Sequence, residues 1–131
     1  MIDPNAPAAS WFLWLAPAFF LLVFGIPLLV APFTWARWFR WRVNADDDLA
    51  LYFGRCLGAV AIALVALMWR VASTAHAHPE VLEIIAGAGA LLALVHVRGA
   101  IEKRQPMIET IEIALYAGTA AVAAWLRAGL S

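Results

Sequence analysis

Four long apolar segments constrain this chain more than any other feature of its sequence. They cover residues 11–31, 49–71, 81–98 and 107–126. A bilayer core takes about 20 helical residues, and each segment is close to that length. Apolar residues occupy every side of each segment, whereas a soluble core helix carries them in one stripe. They also do not alternate with polar residues, as they do in the strands of a membrane barrel. The sequence therefore predicts an all-α fold, an integral membrane four-transmembrane-helix bundle that forms one domain over residues 1–131.

The overall composition agrees with a lipid environment and excludes several classes of protein. Hydrophobic residues make up 65% of the chain and charged residues 14%, whereas soluble proteins average about half and about a quarter. Nine Lys and Arg balance nine Asp and Glu, so the basic excess of a nucleic-acid binder is absent. The one cysteine, Cys56, excludes an internal disulfide framework and a multi-cysteine metal centre within the chain.

Prolines and capping residues refine the helix boundaries. Pro17 and Pro27 lie inside the first segment, so we expect a bent helix in which neighbouring groups satisfy the carbonyls that proline leaves free. Asn44 or Asp46 is expected to cap the second transmembrane helix. Residues 34–43 place aromatic side chains on one helical face and arginines on the other, which predicts a short interfacial helix after the first span.

The distribution of positive charge predicts the orientation in the membrane. Seven Lys and Arg fall at one set of helix ends, namely Arg37, Arg40, Arg42, Arg55, Arg98, Lys103 and Arg104. Arg70 and Arg127 fall at the other set. Since cytoplasmic loops retain Lys and Arg, we expect both termini outside and the two basic connections inside. The predicted location is the cytoplasmic (inner) membrane of a bacterium.

Small residues recur at intervals of four along the last three segments. The pairs are Gly54 and Gly58, Gly89 and Ala93, and Ala114 and Gly118. In lipid such spacing lets helix backbones approach and gain dispersion contacts. We expect a compact bundle, and the sequence leaves open whether Gly54 and Gly58 pack within the chain or against another subunit.

Four ionisable residues share one predicted depth near the inner leaflet: Arg55, His96, Glu109 and Glu112. A lone carboxylate in lipid is costly, so Glu109 and Glu112 are each expected to pair with Arg55 or His96 or to be protonated. One interpretation is an interhelical salt bridge. The other is a cofactor site for a quinone or lipid headgroup, with Glu112 as acid and base, His96 as relay and Arg55 as anion anchor. A third has His96 as the axial ligand of a pigment.

A second group of polar residues lies outside the spans. His76, His78 and Glu80 form an H-x-H-x-E spacing that offers two imidazoles and a carboxylate to a metal ion. A solvated loop capped by Pro79 explains the same residues, so they are weak candidates and no metal site is expected. No serine–histidine–acid grouping and no glycine-rich phosphate loop is recognised, so we expect no catalytic residues and no enzyme activity.

The first half of the chain resembles the small four-helix bacterial membrane proteins grouped around DoxX. The resemblance rests on three runs, residues 29–33 (LVAPF), 53–59 (FGRCLGA) and 69–70 (WR). In those proteins a first helix ends near a proline and a second opens with an Arg-x-x-Gly pattern. The resemblance implies a quinone-linked or thiol-redox partner of a larger membrane complex. A paired-cysteine motif is missing from this sequence, which argues against the thiol-redox role.

These observations lead to one expected function and two alternatives. The near absence of soluble mass predicts a non-catalytic accessory or structural subunit of a larger integral-membrane protein complex. Its expected partners are membrane lipids and other integral-membrane subunits, without nucleic acid. The first alternative is a DoxX-like protein with a quinone or lipid headgroup pocket near the inner leaflet. The second is a small transporter, which the charge-free first helix disfavours.

Overall fold

A computed structural model describes residues 1–44 and 46–130 of the chain. Its elements are α1 (Pro7–Phe20), a π-helical turn (Leu21–Gly25), α2 (Ile26–Val30), α3 (Pro32–Trp38), α4 (Asp48–Val71), a 3₁₀ turn (Ala72–Ala77), α5 (Pro79–Ile101) and α6 (Met107–Ala128). Four stretches are long and apolar enough to cross a membrane: Pro7–Val30, Asp48–Ala77, Pro79–Ile101 and Met107–Ala128. The predicted all-α fold with four membrane spans is confirmed, and the chain is a membrane protein.

The first span is interrupted where its prolines predict. A π-helical turn over Leu21–Gly25 lies between Pro17 and Pro27. Pro27 has no N–H, so the Val23 carbonyl lacks the donor that a regular helix supplies four residues later. The indole N–H of Trp35 donates to that carbonyl at 2.8 Å. The expectation that a neighbouring group satisfies a carbonyl freed by proline is therefore confirmed.

Two local predictions about the second helix and its approach need correction. Asp47, rather than Asn44 or Asp46, caps α4, because its side chain is the one that accepts the Ala50 N–H, at 2.9 Å. The predicted short helix after the first span is present but covers Pro32–Trp38 instead of residues 34–43. It ends early because Arg40 adopts a left-handed backbone conformation with φ of 63°, which an α-helix does not accommodate.

The spans pack as two helical hairpins, and glycines set how closely their helices approach. A Cβ at Gly58 of α4 would lie 2.8 Å from the Leu29 Cα and 2.9 Å from the Gly25 carbonyl oxygen. A Cβ at Gly89 of α5 would lie 3.0 Å from the Tyr116 carbonyl oxygen of α6. These glycines therefore pack within the chain, whereas a Cβ at Gly118 would meet nothing within 4 Å.

The two hairpins meet most closely at the end of the molecule that carries both termini, which we call the termini end. Its buried apolar core draws on all four spans and consists of Ala6, Ala9, Leu13, Val71, Ala72, Ala75, Val81, Leu82, Ile85, Ala123 and Leu126. Leu13 and Leu82 are 0% exposed. The opposite end carries Arg37, Arg40, Arg42, Arg98, Lys103 and Arg104, and we call it the basic end.

A buried polar contact attaches the N-terminal segment to the termini end. The Ser10 hydroxyl donates to the Ala72 carbonyl at 2.6 Å and accepts the Asp3 N–H at 3.0 Å. One oxygen of the Asp3 carboxylate accepts the His76 backbone N–H at 2.9 Å and lies 2.7 Å from its Nδ1. The hydrogen bond from the His76 backbone lowers the pKa of Asp3 to about 2 from an ordinary 3.8.

Candidate functional site: a polar cluster at the basic end

Three ionisable side chains meet between α5 and α6 and form what we call the polar cluster. They are His96 of α5 and Glu109 and Glu112 of α6. The two carboxyl groups lie three residues apart and therefore on one face of their helix. One potential ligand atom from each side chain lies within 4.8 Å of the others. The sequence-based expectation that these three residues share one depth is met by a direct contact.

The polar cluster is buried and its distances are short. His96 Nε2 lies 3.0 Å from Glu109 Oε2 and 3.8 Å from Glu112 Oε2. Glu109 is 6% exposed and Glu112 is 7% exposed. The second imidazole nitrogen of His96, Nδ1, lies 2.8 Å from the Leu92 carbonyl oxygen of its own helix. Both nitrogens of the ring are therefore held, one by backbone and one by carboxylate.

A tryptophan from the first hairpin is hydrogen-bonded to the polar cluster. The indole N–H of Trp41, in the connection between α3 and α4, donates to Glu109 Oε1 at 2.6 Å. The two residues are 68 positions apart in sequence. Sequence patterns give Trp41 only the ordinary role of a tryptophan at the membrane boundary. A contact between residues so far apart in the sequence has no local sequence pattern, so it is seen only in the folded structure.

Aromatic rings cover the polar cluster on the side of the first hairpin. The Tyr116 ring of α6 lies 4.8 Å from the His96 ring, centroid to centroid. Phe24 of the π-helical turn lies 6.4 Å from Tyr116 and 5.9 Å from both Trp35 and Phe39. The contact between Phe24 and Tyr116 therefore joins the two hairpins at the basic end, as the bond from Trp41 to Glu109 does.

The connection between α5 and α6 is fixed over the polar cluster by one side chain. The Gln105 amide donates to the His96 carbonyl oxygen at 2.9 Å and to the Thr110 hydroxyl at 3.2 Å. Lys103 reverses the chain direction with a left-handed φ of 54°. The last turn of α5 and the first turn of α6 are thereby held in register, which brings His96 opposite Glu109.

Arg55, the fourth residue predicted at this depth, lies apart from the polar cluster. Its side chain is exposed, and within residues 1–44 and 46–130 it forms neither a hydrogen bond nor an ion pair with Glu109 or Glu112. Counting residues along a helix gives depth, but the direction around the helix axis depends on packing. The face of α4 that carries Gly58 and Ala61 is buried, and Arg55 lies beside that face rather than toward α6. The predicted group of four is a group of three.

The other candidate group, at the termini end, is divided between two separate contacts. His76 contacts Asp3 at 2.7 Å, whereas His78 contacts Glu80 through its Nδ1 at 3.1 Å. In the described part of the chain, the group of three or more potential ligand side chains that the structure gathers is the polar cluster. Two surface grooves also lie at the termini end, one beside Trp11, Trp14 and Trp69 and one between α1 and the end of α6.

Comparison with known proteins leaves the functional argument to the chain itself. No protein-family model, no curated protein and no solved structure matches it. The DoxX-like resemblance therefore stays a prediction from sequence. A function for this chain is therefore inferred from its own contacts.

Proposed function

We propose that this protein is a non-catalytic accessory or structural subunit of a larger integral-membrane assembly. The observation that carries the proposal is a face of α6 made of small residues, which we call the small face. Its members are Ala114, Ala117, Gly118, Ala121 and Ala124, all exposed, and the exposed large residues Ile111 and Trp125 lie at its two ends. The small face lies opposite the side of α6 on which Glu112, Tyr116 and Ala123 are buried.

The exposed surface of α5 differs from the small face. Opposite its buried side, α5 presents the exposed large side chains of Ile84, Leu91, Leu94 and Val95 around the small residue Gly87. Large flexible side chains suit contact with lipid chains, whereas small residues at intervals of three or four let a second helix approach closely. The contrast between the two helices of one hairpin favours lipid beside α5 and a protein helix beside α6.

The polar residues of the spans support the same proposal. In the described part of the chain, no buried side-chain nitrogen or oxygen lacks a hydrogen-bond partner. Glu83 and Arg127 join the third and fourth spans at 2.6 Å, and the polar cluster joins them at the basic end. The alternative of a quinone or lipid headgroup pocket places Arg55 beside Glu112 as its anion anchor, and Arg55 lies elsewhere. A clamping role for these residues is the simpler account.

The orientation is part of the proposal. In a bacterial cytoplasmic membrane, the basic end faces the cytoplasm and both termini face outward. In a Cys56→Ala background, an impermeant maleimide added to intact cells is expected to label a cysteine placed at Asn5 and to spare one placed at Lys103. Labelling at position 103 without labelling at position 5 contradicts this orientation.

Affinity purification with a matched pair of variants tests the assembly role. Gly118 on the small face and Gly87 on α5 both have open space where a Cβ would lie, so Gly118→Leu and Gly87→Leu make the same change on two exposed helices. After mild extraction from the native membrane, wild-type protein and Gly87→Leu are expected to retain the same integral-membrane partners. Gly118→Leu is expected to lose them at least tenfold. Recovery of wild-type protein only as a monomer, or equal recovery with both variants, contradicts the proposal.

A further inference from the structure

The polar cluster has the composition and the spacing of a metal site. One imidazole nitrogen and two carboxylate oxygens converge, with His96 Nε2 at 3.0 Å from Glu109 Oε2 and 3.8 Å from Glu112 Oε2. Ligands that bind a zinc ion at about 2.0–2.2 Å are themselves about 3–3.5 Å apart. The first observed distance lies at the lower edge of that range and the second just above it, and all three ligand atoms lie within 4.8 Å of one another, so coordination by all three requires the Glu112 carboxylate to move closer.

The hydrogen bond of His96 Nδ1 shows which imidazole nitrogen is available to a metal ion. His96 Nδ1 lies 2.8 Å from the Leu92 carbonyl oxygen, and a carbonyl only accepts, so Nδ1 carries the hydrogen. In the neutral ring Nε2 then holds a lone pair that faces two carboxylates. A proton or a metal ion between this lone pair and the carboxylate oxygens removes their repulsion, so Nε2 is available to a metal ion. The same backbone contact on the second nitrogen fixes the ring in many metal-binding histidines.

The charge of the polar cluster favours a divalent ion. Within residues 1–44 and 46–130, the ion pairs of Glu109 and Glu112 involve His96 and no Lys or Arg. A protonated His96 neutralises one of the two carboxylates, and the second is then neutral only if it takes up a proton. A divalent ion with a neutral imidazole brings the total to zero. Since uncompensated buried charge is strongly unfavourable, the divalent ion balances the site fully.

Neighbouring groups hold the carboxylate ligands as they do in established metal centres. The Trp41 indole N–H occupies Glu109 Oε1 at 2.6 Å, which leaves Oε2 directed at His96. The Tyr116 ring packs against the imidazole, and the Gln105 amide fixes the His96 carbonyl. Partners of this kind orient the ligands of metal sites, and their loss weakens metal affinity by about 10–100-fold.

From this geometry we infer that His96, Glu109 and Glu112 bind one divalent first-row transition metal ion, which joins α5 to α6 at the basic end. One nitrogen and two oxygen donors suit zinc, iron(II) and manganese(II). No thiolate takes part, because Cys56 lies on α4. The inference is independent of the accessory role, because it concerns how the second hairpin is closed rather than what binds the small face.

Zinc binding to the full chain in lipid nanodiscs tests the inference. Protein stripped with a chelator is titrated with Zn²⁺, and the bound metal is measured by equilibrium dialysis and X-ray absorption. We expect one zinc per chain with nitrogen and oxygen ligands at about 2.0–2.2 Å and at least one imidazole. Binding of less than one equivalent, or a first shell that contains sulfur or lacks imidazole, overturns the inference. This measurement needs no variant.

Matched substitutions assign the ligands. His96→Asn and Glu112→Gln are expected to weaken zinc binding at least tenfold, whereas His78→Asn and Glu83→Gln are expected to bind as the wild type does. Trp41→Phe leaves the three ligands in place and is expected to weaken binding by about 10–100-fold. Unchanged binding in folded His96→Asn overturns the assignment, and so does loss of binding in His78→Asn. If His96→Asn does not fold, Trp41→Phe and the wild-type absorption spectrum decide.

Discussion

The two ends of the bundle are held together by different interactions. At the termini end, all four spans contribute side chains to an apolar core in which Leu13 and Leu82 are completely buried. At the basic end, the Trp41 indole bonds to Glu109 across the two hairpins, beside the aromatic contact between Phe24 and Tyr116, and His96 bonds to Glu109 within the second hairpin. The first end depends on the fit of apolar shapes. The second depends in addition on hydrogen bonds between a few buried polar atoms.

This contrast follows from the physics of lipid as a solvent. Apolar side chains gain little by leaving lipid chains for a protein interior, so only close packing favours the bundle over separated helices. The termini end meets that requirement with small residues such as Ala75 and Ala123, both 0% exposed. Polar groups within lipid have no water with which to exchange partners, so breaking a buried hydrogen bond of the polar cluster is costly. The two ends should therefore respond to different changes.

The largest expected effect is at the termini end. Leu82→Ala removes a side chain with 0% exposure and leaves a cavity in the core to which all four spans contribute. We expect a loss of about 2–5 kcal/mol in the free energy of unfolding, measured by circular dichroism during titration of mixed micelles with a denaturing detergent. Leu94→Ala on the exposed side of α5 is the control, and surface changes of this kind stay within about 0.5 kcal/mol. Equal losses in both variants contradict a core at this end.

The next effect is at the basic end. Trp41→Phe keeps the aromatic ring but removes the indole donor to the Glu109 carboxylate, a bond of 2.6 Å. Hydrogen bonds to charged groups contribute about 1.5–3 kcal/mol, and we expect a loss of that size in metal-stripped protein by the same unfolding measurement. Trp38→Phe makes the same change at a tryptophan that is 67% exposed. A loss in Trp38→Phe as large as in Trp41→Phe argues against the contact.

At the basic end, the sequence predicts how deep a residue lies in the membrane but not which way it faces around its helix. Counting residues along the apolar helices places His96, Glu109 and Glu112 at one depth, and their contact could be predicted from that shared depth. Arg55 has the same predicted depth but a different direction around its helix, because Gly58 commits α4 to pack on Leu29 and Gly25. Local sequence does not encode that direction.

The same limit applies to contacts between distant segments. The four spans are specified by length and composition, and the bend of the first span by its prolines, so both could be predicted. The bonds from Trp41 to Glu109 and from Asp3 to His76 join residues 68 and 73 positions apart. Each of these residues has an ordinary explanation on its own, as a boundary tryptophan or a solvated loop residue. Only the packing of the hairpins pairs them.

A smaller effect is expected at the polar contact of the termini end. Ser10→Ala removes the hydroxyl that the Asp3 N–H and the Ala72 carbonyl share, and it leaves both buried groups without that partner. An unsatisfied buried polar group costs about 1–3 kcal/mol, and unfolding measurements should show a loss in this range. Ser73→Ala, at an exposed position, is expected to change little. An unchanged Ser10→Ala variant contradicts the attachment of the N-terminal segment.

The smallest effect concerns pH at the termini end. The pKa of Asp3 is lowered to about 2 from 3.8 by the hydrogen bond from the His76 backbone, so the attachment favours the carboxylate. Its contribution is complete above the ordinary value of 3.8 and is lost as pH falls toward about 2. Protease sensitivity of the N-terminal segment is expected to rise between pH 4 and pH 2. The Asp3→Asn variant should lack this pH dependence, and an unchanged profile in that variant contradicts the assignment.

If the two ends are held independently, hydrogen–deuterium exchange in nanodiscs should distinguish a change at one end from a change at the other. Exchange is followed by mass spectrometry for Leu82→Ala and Trp41→Phe. We expect Leu82→Ala to raise exchange in residues 6–13 and 72–85, and Trp41→Phe to raise it in residues 97–107. A rise of equal size at both ends in either variant would show that the two ends are not independent.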